Sequence, residues 1–63
     1  MKPVNVSEEA SKIFISENMG GLTLEEFSTL LDKLDPKYAS KYSGFEWIGI
    51  CIHLKDLVKS TQD

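Results

Sequence analysis

Residues 43–59 read Ser43-Gly44-Phe45-Glu46-Trp47-Ile48-Gly49-Ile50-Cys51-Ile52-His53-Leu54-Lys55-Asp56-Leu57-Val58-Lys59, and two hydrophobic periods compete in them. With period 2, Ile48, Ile50, Ile52 and Leu54 alternate against Trp47, Gly49, Cys51 and His53, as in a strand. With period 3.6, Trp47, Ile50, Cys51, Leu54, Leu57 and Val58 line one face of a helix. The flanks favour the helix. Ser43 with Glu46 three residues on is a capping box, and Tyr42 with Trp47 stands where a hydrophobic staple requires. Residues 55–59 continue in helical register, whereas a strand would lack obvious partners. The segment therefore predicts a helix over 45–60. The rival period would make an α+β fold with strands at 12–16 and 46–54.

Working outward, Thr23-Leu24-Glu25-Glu26 is a second capping box, with Leu22 and Phe27 as its staple. Leu24, Phe27, Leu30, Leu31 and Leu34 follow as one apolar stripe, which predicts a helix over 24–34. Further back, Ser7 is a plausible N-cap, with Glu8 and Glu9 in the first turn. Ala10, Ile13 and Phe14 take helical spacing and Gly20 supplies a C-cap, predicting a helix over 8–19. Asp35-Pro36 suits the start of a short helical turn over 36–42, with Asp35 as its N-cap and Pro36 in its first position. The expected fold is all-α: a small bundle of three main helices with one extra turn, forming a single domain over 1–63.

The length sharpens this reading. A chain of 63 residues buries only about 60% of the surface its unfolded form exposes. Hydrophobic gain and the entropy of ordering then come out equal in size, so the monomer is marginal. The single Cys51 permits no internal disulfide. Cys51 and His53, the only Cys and the only His, cannot build a four-ligand zinc site by themselves. Yet Phe45, Trp47, Ile48, Ile50, Cys51, Ile52 and Leu54 cover nearly the whole circumference of the last helix. A helix apolar all round belongs inside something. Either the other helices wrap it on three sides, as an ordinary monomeric core with Trp47 at its centre, or part of it is covered by another chain; the marginal stability favours the second.

Charge restricts the partner. All seven basic residues are lysine, and net charge is −3. Residues 1–36 carry −4 and residues 37–63 carry +1. Without arginine, bidentate phosphate and guanine recognition is weak. No run is long and apolar enough for a membrane span, and residues 1–9 lack the apolar core of a signal peptide. Cytoplasmic location is the expectation.

Catalytic chemistry finds little footing. On a helix Cys51 lies about 200° from His53, which rules out a nucleophile–base pair. Glu8/Glu9 and Glu25/Glu26 serve helix N-termini. Residues 15–26 resemble a worn EF-hand loop, with Gly20 at the turn position, Leu22 at the central hydrophobe and Glu26 at the bidentate glutamate. The resemblance implies calcium binding, but Ile15 and Met19 occupy ligand positions and cannot hold a hard cation. No metal or cofactor is expected.

The functional expectation is a small non-enzymatic protein–protein interaction module. It would regulate or inhibit a cellular protein, in the manner of phage- or plasmid-encoded accessory proteins, and would also be able to form a homodimer. Phe45, Trp47, Ile48 and Ile52 are the candidate apolar contacts, with Glu25 and Glu26 as an acidic face. The alternative is a small DNA-binding regulator using Lys37, Lys41, Lys55 and Lys59, two pairs spaced one helical turn apart.

Overall fold

The computed structural model describes residues 4–61. Three helices follow in order: α1 over Val6–Ser16, α2 over Leu24–Tyr38 and α3 over Gly44–Ser60. No strand occurs among the described residues, so the helical period prevails in residues 43–59. Residues 1–3, part of the stretch read for a leader, lie outside the described residues.

Both capping boxes form. The Thr23 hydroxyl accepts from the Glu26 N–H at 3.0 Å, and the Thr23 N–H donates to the Glu26 carboxylate at 2.9 Å. Ser43 and Glu46 repeat the exchange at 3.2 and 2.9 Å. The second staple is aromatic: the Tyr42 ring lies 6.2 Å from that of Trp47 at an interplanar angle of 8°.

Three local expectations need correction. Asn5, not Ser7, caps α1, its side chain accepting from the Glu8 N–H at 3.0 Å. The helix ends at Ser16 rather than 19, because Asn18 takes a left-handed conformation (φ 55°) and closes it. The Asn18 N–H then donates to the Ile15 carbonyl and the Met19 N–H to the Phe14 carbonyl, which is the Schellman pattern. Met19 folds under as its hydrophobic member and is fully buried, so Gly20 caps nothing.

The third correction concerns Asp35-Pro36. These residues do not start a new turn over 36–42; α2 runs through Pro36 to Tyr38. Proline inside a helix removes one backbone hydrogen bond and costs about 3 kcal/mol. The turn survives because tertiary contacts hold it. Asp35 accepts a hydrogen bond from the Trp47 indole N–H. The Tyr38 ring stacks on Trp47 at 5.7 Å, and its hydroxyl donates to Glu17 at 2.7 Å. Lys37 adds an ion pair to Glu17 at 3.0 Å.

α3 is the shared wall of the bundle. It packs extensively on α1 and less closely on α2, while α1 and α2 make no close backbone approach to each other. Trp47, Ile50, Leu54 and Val58 form its inward stripe and meet Ala10, Ile13, Met19, Phe27, Leu34 and Tyr38 in one core. At Gly49 α1 lies close: a Cβ built there would lie 3.1 Å from a Val6 methyl. The glycine that weakens α3 locally therefore lets the two helices close.

Two predictions follow from these contacts. Gly49→Val pushes Val6 away and should lower stability by about 2 kcal/mol, the usual scale of overpacking, with part recovered in Gly49→Val/Val6→Ala, read as melting temperature. The second concerns acid. Tyr42 and Lys12 hold the Glu9 carboxyl below its usual range, and Tyr38 and Lys37 do the same for Glu17. A depressed folded-state value contributes stability above the unfolded pKa, and that contribution disappears as pH falls through the folded value. The fall in melting temperature between about pH 6 and pH 3 should thus be smaller in Glu17→Gln than in the wild type.

Candidate apolar docking groove

α3 presents a second apolar stripe on its outer side. Phe45 is 90% exposed, and Ile48 and Ile52 are each 58% exposed. Residues 45, 48 and 52 recur at helical spacing, so they share one face. Beside them runs an open groove of about 630 Å³ between α2 and α3. Leu24, Phe27, Ser28, Leu31 and Asp35 form its α2 wall, and Trp47, Ile48, Cys51, Ile52 and Lys55 its α3 wall. Asp35 bonds Trp47 near one end while Leu24 and Lys55 mark the other, so the two helices run antiparallel along it.

The sequence-derived candidates divide sharply. Phe45, Ile48 and Ile52 are exposed to solvent. Trp47 is not: it is buried in the core, and only an edge reaches the groove wall. Its value there is to fix the groove's end through Tyr38, Tyr42 and Asp35. Glu25 and Glu26 sit on another side of α2, in a shallow depression with Thr23, Thr29, Leu30 and Lys33, and Glu26 is engaged in its capping box. They share no surface with the apolar stripe.

The lysines also separate. Lys55 lines the groove beside Leu24 at the start of α2, while Lys37 is 13 residues further along that helix, about 20 Å at 1.5 Å per residue. Lys37 is paired with Glu17, and both Lys37 and Lys41 lie over the Tyr38 ring, at 5.2 and 5.3 Å. The four therefore form no single basic patch. The EF-hand resemblance likewise finds no support in the side chains. Ile15 is exposed, Met19 is buried, and among the described residues no group of three or more His, Cys, Asp or Glu converges to hold a metal.

Cys51 is half-buried in the groove wall, and desolvation raises its thiol pKa to about 11. His53 is exposed on α3. The α2 contribution to the groove is what sequence reading misses. The α2 stripe is too wide for one contact: Leu34 is buried, Phe27 and Leu31 serve both the core and the groove, and Leu24 lies on the edge that faces the groove.

No helix among the described residues is long and apolar enough to cross a membrane. Comparison with protein-family models, with curated proteins and with solved structures finds no match to the chain.

The groove's apolar wall has a chemical consequence. At about pH 8 Cys51 should react with a disulfide reagent roughly one to two orders of magnitude more slowly than a free thiol, since the thiolate is the nucleophile. The rate should rise to that of a free thiol when the protein is unfolded in urea, followed by absorbance of the released thiolate.

Proposed function

We propose that this protein is a non-enzymatic interaction module that docks an apolar segment of a partner protein on the α2/α3 groove and the stripe beside it. The carrying observation is the exposure of Phe45, Ile48 and Ile52 along one face of α3, bordering a groove lined by Leu24, Phe27 and Leu31. Large side chains left in water at helical spacing beside an apolar cleft fit the helix-in-groove mode of recognition. Phe45, in the first turn of α3 at one end of the stripe, would be an aromatic anchor, since aromatic residues dominate interface energetics. Asp35 and Lys55, one near each end of the groove, would set the direction of the bound segment.

Such a module acts by occupancy. It covers a surface on the partner or holds it in place, so the reading extends to a regulator or inhibitor of a cellular protein, of the accessory type that phages and plasmids encode. The cytoplasm is the compartment that suits a lone reduced cysteine.

The test uses tagged full-length chain to capture its partner from the native host. Ile52→Asp and Ile48→Asp should keep their helical circular dichroism, because both residues project outward, yet lose the captured protein. Capture unchanged in both variants would remove the groove from the account.

A further inference from the structure

We infer that the groove is self-complementary and that a second copy of this chain occupies it, α3 lying antiparallel against α3 about a two-fold axis. This rests on the docking reading above and names the occupant. Charge and register together carry it. Along the groove, Asp35 stands at the end formed by Trp47, apolar side chains fill the middle, and Lys55 stands at the end formed by Leu24. A two-fold axis across the middle exchanges the two ends. It brings Lys55 of each copy over Asp35 of the other, an acid at one end meeting a base from the opposite end at both places.

The apolar stripe obeys the same symmetry. With the axis near residue 50, Ile48 of one copy meets Ile52 of the other, and Phe45 packs along the stem of the facing Lys55. One register thus satisfies both the apolar and the charged contacts, which is the property an isologous interface requires. A general partner would have to match this alternation of acid, apolar strip and base, whereas a second copy carries it already.

The glutamates of α1 and the first turn of α2 do not crowd the contact. Glu25 and Glu26 line the depression with Leu30 and Lys33, away from the groove, and Glu8 and Glu9 belong to α1. Pairing would withdraw Phe45, Ile48 and Ile52, the large apolar side chains exposed on α3, from water.

Sedimentation equilibrium of the full chain decides the matter. The wild type should move from 7.1 kDa towards twice that mass as concentration rises to about 500 µM. Lys55→Glu, which sets like charges face to face at both ends, should weaken association by about tenfold or more. Ile52→Asp should leave a monomer with unchanged helical circular dichroism, and Lys33→Glu, outside the groove, should dimerise as the wild type does. A 7.1 kDa species at every concentration, or a dimer that neither Lys55→Glu nor Ile52→Asp disturbs, overturns the inference. A monomer that still captures a host protein through Ile48 and Ile52 overturns the dimer alone and leaves the docking reading standing.

Discussion

Trp47 is the junction on which the other contacts depend. Its ring is stacked on by Tyr38 from the end of α2 and by Tyr42 from the connection into α3. Its indole N–H is accepted by Asp35. The same two tyrosines then reach α1 and its cap: Tyr38 donates to Glu17, and Tyr42 donates to Glu9 at 2.9 Å. Aromatic stacking, which adds about 0.5–1.5 kcal/mol per pair beyond burial, is here combined with hydroxyl-to-carboxylate bonds, the stronger kind of hydrogen bond. Burial pushes the Tyr42 hydroxyl up to about 12, with Glu9 adding to the shift, so the phenol remains a proton donor across the physiological range. One indole thereby joins all three helices through its immediate neighbours.

That junction also decides what α3 can hide. With Trp47 turned inward, Ile50, Leu54 and Val58 follow it into the core at helical spacing. Phe45, Ile48 and Ile52 are then carried outward by the same geometry, because a helix has only one inward side in a bundle whose other helices lie on two flanks. The apolar excess is a result of topology. A further helix across the outer face would have buried it; three helices of 11, 15 and 17 residues leave it open.

Much of this was legible in the chain. Thr23 with Glu26 and Ser43 with Glu46 specify two helix starts by chemistry that is local, and local chemistry can be read from neighbours in sequence. The surplus on α3 was equally visible, because apolar residues at every angle around a helix exceed what a small bundle encloses. Asp35-Pro36 misled because its local signal, an N-cap followed by proline, was overruled by an indole twelve residues away. At the end of α1, Gly20-Gly21 looked like the stronger breaker, yet Asn18 met the left-handed position first. The groove itself was hidden for a different reason. It depends on how α2 is rotated against α3, and both faces of a wide apolar stripe look alike until that rotation is known.

The arrangement around α3 has a consequence for the order of events in folding. α1 and α2 precede α3 in the chain but make no close approach to one another. On a ribosome they emerge before the surface they pack on exists. Helices of 11 and 15 residues are marginal alone in water, so neither is a stable intermediate while residues 44–60 are still being made. Once α3 arrives, α2 has only a five-residue connection to close, and closing short loops takes only tens of nanoseconds. Chain separation thus favours the α2–α3 hairpin as the earlier contact, whereas Val6 must close a far longer stretch of chain to reach Gly49.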